Sequence, residues 1–221
     1  MKFFSYIKYF YFLFDNWDIK IAWYMIKQEI KGENQYGINT TGADNLNDLE
    51  ELGVDVSHAA IYMPVSYYLM EEILEQLPAT TRKHFLDIGC GKGRSLCMAA
   101  HAGFKQVTGL DFSKVLCDKA KENLTKTKQK IPALEFKVIN NDAFYFEIPD
   151  DVDCIFLFNP FDEIIMSAVV NNITKSLQNN PRKLHIIYVN PMHKGQFIKA
   201  GFTETWYSKK MEYIEAVILK N

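Results

Sequence analysis

From residue 83 to residue 189 the chain alternates short apolar runs with longer amphipathic stretches, and that alternation leaves few architectures open. Runs such as Cys154-Ile155-Phe156-Leu157-Phe158 and Ile186-Ile187-Tyr188-Val189 are apolar on both faces, as strands of a parallel sheet covered by helices must be. The pattern predicts strands at 83–88, 105–110, 134–139, 152–158 and 184–189, with helices at about 93–102, 113–129 and 162–178. The final stretch from Gly201 reads instead as two strands joined around Ser208–Lys210, an antiparallel hairpin at the sheet's end. The expectation is an α/β fold with a seven-stranded, mostly parallel sheet.

Upstream the regime changes. Residues 32–58 hold four glycines among many Asn, Asp and Thr, which reads as a polar linking segment with little regular structure. After Pro64, whose fixed φ suits a helix start, Val65, Leu69, Ile73 and Leu77 form a helical stripe that Pro78 ends. The N-terminal thirty residues are rich in aromatics, with a continuous apolar run from Phe10 to Phe14. Lys8 and Asp15 bracket that run too closely for a membrane span, and no small-residue cleavage site follows it. An interfacial membrane helix is the lesser alternative, because Asp15, Asp18 and Glu29 dilute the lysines that such helices favour. The division expected is a helical extension with its linker at 1–58 and a ligand-binding domain at 59–221. The extension would pack on the domain or on a second copy of the chain, as a possible homodimer contact.

With 221 residues, 48% of them hydrophobic, the chain can bury a sizeable core. Its 25 basic and 27 acidic residues leave no overall positive field to recruit nucleic acid. The lysines from Lys114 to Lys130 are interrupted by Asp118 and Glu122 and lack interleaved aromatics, so they read as a solvated helix face. Cys90, Cys97, Cys117 and Cys154 are scattered without a CxxC pair, as reduced thiols of a cytoplasmic protein are. The five histidines share no ligand spacing, so no metal site is expected.

The stretch His84 to Ser95, HFLDIGCGKGRS, gives the first chemistry. A parallel strand that breaks into a glycine turn and opens a helix places backbone N–H groups at the carboxyl edge of the sheet, where ligands of such folds bind. The glycines at 89, 91 and 93 do not follow the dinucleotide spacing G-x-G-x-x-G, because Arg94 stands where the third would fall, and no phosphate-binding P-loop is present. Asp87 at the mouth of the turn would repel a pyrophosphate and attract an ammonium. Asp111 ends the next strand 18 residues after Gly93, near the offset at which an acid meets ribose hydroxyls, and Phe112 beside it would lie against a base. An amino acid head, a ribose and a base without phosphate describe S-adenosyl-L-methionine.

FLDIGCGKGR, GLDFS, NNDAF and FLFNPF, taken in order, resemble the successive motifs of class I S-adenosylmethionine-dependent methyltransferases, over about residues 60–220. The segments TTGAD, YMPVSYYLM and PRKLHIIYVNP further resemble a bacterial group within them. The resemblance implies a Rossmann-like fold and a methyltransferase that uses S-adenosyl-L-methionine. It implies that Asp87, Gly89, Cys90, Gly91 and Gly93 hold the methionine moiety, that Asp111 takes the ribose, and that Asp142 with Ala143 receives the adenine amino group. An Asp after a strand is also often just a helix cap, and Cys90 reads equally as a small residue that fits the turn.

Asn159-Pro160-Phe161 resembles the start of the [DN]-P-P-[YF] motif, whose carbonyls hold a nitrogen nucleophile at the reactive methyl. Phe161 departs from it, so adenine or glutamine specificity does not carry over. The acceptor the resemblance implies is a protein lysine or other amine. A small-molecule acceptor and a non-catalytic, cofactor-binding regulatory subunit stand as alternatives, with RNA behind them. Asn159-Pro160 would otherwise only end the fourth strand, and Asp162 would be either a helix cap or a base. Tyr62, in a stretch similar to one in protein lysine methyltransferases, would line the methionine end of the pocket or simply pack. Tyr188, Asn190 and Pro191 would form a second polar rim at that edge.

Overall fold

The structure is a computed structural model that describes residues 2–16, 18–42, 63–158, 161–210 and 214–221. Two helices open the chain, α1 (Lys2–Asn16) and α2 (Ile19–Tyr36), and α3 (Tyr67–Gln76) leads into the sheet. There follow β1 (His84–Ile88), α4 (Arg94–His101), β2 (Gln106–Asp111), α5 (Lys114–Lys130), β3 (Glu135–Asn140) and β4 (Cys154–Phe158). The chain ends through α6 (Glu163–Asn179), β5 (His185–Val189), α7 (Lys194–Lys199), β6 (Thr203–Lys210) and β7 (Ile214–Lys220).

The strands form one sheet in the order β3-β2-β1-β4-β5-β7-β6, in which β1 to β5 pair in parallel and β7 runs antiparallel to both of its neighbours. This is the seven-stranded, mostly parallel sheet that the alternation predicts, with bounds shifted by a residue or two. Strand periodicity builds the core, because successive side chains point to opposite faces. Phe85, Phe156 and Ile187 pack on one side with α3, α4 and α5. Leu86, Ile155 and Ile186 pack on the other with α6 and α7. Each large apolar side chain sealed this way, such as Phe85 or Leu86, contributes about 1.5–3 kcal/mol.

Four local expectations are corrected. The polar linker does not start at Gly32, because α2 continues to Tyr36 and stops at Gly37, whose φ of 74° is the left-handed conformation that glycine adopts without strain. Pro64 does not start α3; the cap is Ser66, whose hydroxyl accepts from the Leu69 N–H at 3.1 Å. β6 runs through Ser208–Lys210, so the hairpin connection comes after them. Tyr188 is no rim residue: it is fully buried against Phe197, in the core beside α6 and α7.

The N-terminal aromatics form a helical hairpin. Asp18 caps α2 by accepting from the Lys20 and Ile21 N–H groups, and Tyr9, Leu13, Ala22 and Ile26 close a small core between the two helices. Among the described residues, no helix is long and apolar enough to cross a membrane.

Candidate functional site

The direction of strand addition reverses between β1 and β4, since the chain builds β2 and β3 outward on one side and β4 and β5 on the other. Such a switch point opens a crevice at the carboxyl ends of the strands. Asp87 is paired with Gly109 of β2 and Phe156 of β4 in the registers at this edge. The glycine turn therefore leaves β1 at the place where an α/β sheet receives a ligand.

Gly89, Gly91 and Gly93 all adopt positive φ, at 87°, 52° and 79°, which any side chain would strain. Their N–H groups do not form the open cradle that the sequence suggests. Gly89 and Cys90 both donate to the Leu110 carbonyl, Gly93 donates to the Cys90 carbonyl, and Gly91 donates to Asp111 Oδ2 at 2.8 Å. A turn with these N–H groups directed inward is poorly made for phosphate.

Asp87 is almost fully enclosed. Ser95 of α4 donates to its Oδ2, while its Oδ1 is buried without a hydrogen-bond partner among the described residues. Burial pushes the Asp87 carboxyl up to about 7; the Ser95 hydroxyl opposes the shift and the nearby Asp111 carboxylate adds to it. A buried acceptor of this kind costs free energy until a donor meets it, and an ammonium supplies both hydrogen and charge. The residues present thus fit the amino acid head of S-adenosyl-L-methionine.

Asp111 is held by two backbone donors, Gly91 N–H and Ser113 N–H. Burial raises its carboxyl to about 6 against the pull of those bonds. A carboxylate has roughly four lone-pair sites, so acceptor capacity remains for hydroxyls. Phe112 is half-buried beside it, and Asn140 of β3 donates to the carbonyls of both Asp111 and Phe112, fixing the strand's exit. Asp142 is exposed and Ala143 buried. The Asp142 carboxylate caps a short 3-10 turn, Ala143–Tyr145, through the Phe144 N–H at 2.8 Å. Cys90 is a buried thiol in the core cluster, and burial raises its pKa well above the ordinary value. Gly109 makes room for it: a Cβ there would stand 2.8 Å from Cys90 Sγ.

Tyr62, Asn159 and Pro160 lie outside the described residues. Phe161 packs partly buried against the α6 side of the core. Asp162 is the N-cap of α6, accepting from Ile164 and Ile165 N–H at 3.0 Å each.

The sequence reading missed a buried network behind the turn. Arg94, first residue of α4, reaches Glu29 of α2 through both of its terminal nitrogens. It also donates to Thr40 Oγ1 and the Val65 carbonyl, and it lies 4.1 Å over the Tyr67 ring. Glu33 accepts from Thr40, Thr41 and Tyr6; burial works against its charge, but these bonds hold its carboxyl below the usual range. The one signal was spacing: Glu29, Gly32, Glu33 and Tyr36 share a helix face at i, i+3, i+4 and i+7.

Comparison with known proteins now bears on this geometry. Residues 85–180 match the family described as a methyltransferase domain. The chain thus carries a methyltransferase domain on a sheet with the Rossmann-like strand order of class I S-adenosylmethionine-dependent methyltransferases. It is similar in fold to a methylase candidate from Haemophilus influenzae at 19% identity and TM-score 0.52, over 69% of this chain and 93% of that one. It is also similar to the Pyrococcus abyssi tRNA (uracil-54, C5)-methyltransferase in complex with S-adenosyl-L-homocysteine, at 15% identity and TM-score 0.54, over 72% of this chain and 40% of that one. A third likeness is to an O-methyltransferase from neocarzinostatin biosynthesis in complex with S-adenosylmethionine, at 13% identity and TM-score 0.52, over 67% and 52%. No curated protein matches the chain by sequence. The matched segment spans the glycine turn and both carboxylates, Asp87 and Asp111, and the structural neighbours named in those complexes act on different acceptors.

Proposed function

We propose that the methyltransferase methylates a nitrogen nucleophile, a protein lysine or another amine, with 59–221 as the catalytic unit. The observation that carries this reading is Asn159-Pro160-Phe161 directly after β4, the strand that adjoins β1 at the switch point. S-adenosyl-L-methionine supplies an electrophilic methyl on a sulfonium, so the chain needs chiefly to position an acceptor and exclude water. The side-chain and backbone carbonyls of Asn159 would accept the hydrogens of the nitrogen, with Pro160 stiffening the segment and Phe161 forming its wall. Asp87 and the Gly89-Cys90-Gly91 turn with Gly93 would bind the methionine moiety. Asp111 would take the ribose, Phe112 the face of the base, Asp142 and Ala143 its amino edge, and Tyr62 the methionine end.

A small-molecule hydroxyl acceptor is the second reading, supported by the likeness to an O-methyltransferase. The test is transfer of labelled methyl to a panel of lysine peptides, small amines, phenols and tRNA, with wild-type protein and Asn159→Ala. N-methylation requires label on amines, loss of it in Asn159→Ala, and unchanged cofactor affinity in that variant. Label on phenols alone, or full amine transfer by Asn159→Ala, would overturn it.

A further inference from the structure

The helical hairpin α1–α2 carries a second apolar face besides the one it closes on itself. On α1, Phe4, Ile7, Tyr11 and Phe14 follow one another at three- and four-residue steps, and all are exposed, Phe4 at 75% and Tyr11 at 60%. On α2, Ile19, Trp23 and Ile30 share one face and are exposed too, Trp23 at 57%. The two stripes are continuous through Phe10, whose ring centroid lies 6.0 Å from Tyr11, 6.5 Å from Phe14 and 6.1 Å from Trp23. Aromatic side chains present about 150–250 Å² each, so this face is on the order of 700 Å², more than a soluble monomer ordinarily leaves to water.

Charge decides what covers it. In the sequence the lysines of this region are offset by acids, but Glu29 and Glu33 are buried, spent on Arg94, Thr40 and Thr41. The exposed charges described on α1 and α2 are Lys8, Lys20, Lys27 and Lys31 against Asp15, with Asp18 at the cap between the helices. Lys20, Lys27 and Lys31, spaced i, i+7 and i+11, run beside the Ile19-Trp23-Ile30 stripe, and Lys27 Nζ stands 5.5 Å over the Trp23 ring. An aromatic strip edged by lysines whose stems lie along it matches the boundary of an anionic bilayer. A second copy would bring the same lysine edge with it.

We infer that the α1–α2 hairpin docks on an anionic lipid surface, lying in the interface. Because Glu29 of α2 is bonded to Arg94 beside the glycine turn, docking would hold that turn at the membrane. The reading is independent of the acceptor proposed above.

The test uses the full chain with vesicles of phosphatidylcholine alone and of phosphatidylcholine with phosphatidylserine, read by co-sedimentation and by tryptophan emission, with sedimentation velocity in parallel. Binding to the anionic vesicles with a blue shift is expected. Tyr11→Glu with Trp23→Glu should abolish it, and Lys20→Gln, Lys27→Gln and Lys31→Gln should weaken it about fivefold for each lysine. The lysine set is exposed and preserves folding, so it stands if the aromatic pair fails to fold. The inference is overturned by no association with anionic vesicles, by association that survives both variant sets, or by a dimer that those same substitutions dissociate.

Discussion

Arg94 and Glu29 form a buried ion pair that ties the N-terminal extension to the helix opening at the glycine turn, with both side chains 2% exposed. They are 65 residues apart in the chain. The pair is not isolated, since Thr40, the Val65 carbonyl and the Tyr67 ring complete the surroundings of the guanidinium. Removing one partner leaves a buried charge uncompensated, which costs about 3–5 kcal/mol. Glu29→Ala should therefore lower stability by that order in urea unfolding, whereas Lys119→Ala, which breaks a surface pair with Glu122, should change it by less than about 1 kcal/mol. Equal effects would remove the extension from the domain's structural core.

Asp87→Asn keeps shape and hydrogen-bonding capacity but removes the charge for an ammonium. Charged hydrogen bonds contribute about 1.5–3 kcal/mol, so affinity for S-adenosyl-L-methionine should fall about 10- to 100-fold by calorimetry. Wild-type affinity in this variant would take the methionine head away from Asp87.

The pH dependence follows from the same group. With folded values raised from 3.8 to about 7 for Asp87 and about 6 for Asp111, the folded protein holds protons that the unfolded chain has released. The stability they contribute is fully present below about 3.8 and is lost as pH rises through 6 to 7. Unfolding midpoints of the ligand-free wild type should fall more steeply across that window than those of Asp87→Asn. Cofactor affinity should move the other way and rise through pH 7, because the ammonium binds ionised Asp87.

Gly32 lies under the Tyr67 ring, and a Cβ there would stand 2.2 Å from Tyr67 Cδ2. Tyr67 cannot easily yield, being stacked on Tyr36 at 5.7 Å and covered by Arg94. Alanine gains about 1 kcal/mol of helix propensity, but overpacking costs about 1–3 kcal/mol. Gly32→Ala should thus destabilise on balance, lowering the thermal midpoint. A stabilised variant would mean that the ring shifts freely.

Asp162 offers a direct choice between a cap and a base. As the N-cap of α6, it should tolerate Asp162→Asn with full activity and lose about 1 kcal/mol in Asp162→Ala. Loss of methyl transfer in the asparagine variant at unchanged stability would make it the base.

What the sequence determined by itself is what local periodicity and backbone chemistry dictate. Strands apolar on both faces required a covered parallel sheet, and glycines at 89, 91 and 93 marked a turn that only positive φ permits. Asp87 and Asp111 were legible because strand ends and turn spacing place them. Tertiary structure alone decided that the turn's N–H groups face inward, since their acceptors, the Leu110 carbonyl and Asp111, come from the next strand. It also decided that Glu29 and Glu33 are structural rather than surface charges. Their partners stand on α4 and beyond α2's end, and no helical period shows which carboxylate will meet an arginine 65 residues away. That burial is what turns a charge-balanced aromatic hairpin into one with a lysine-edged face.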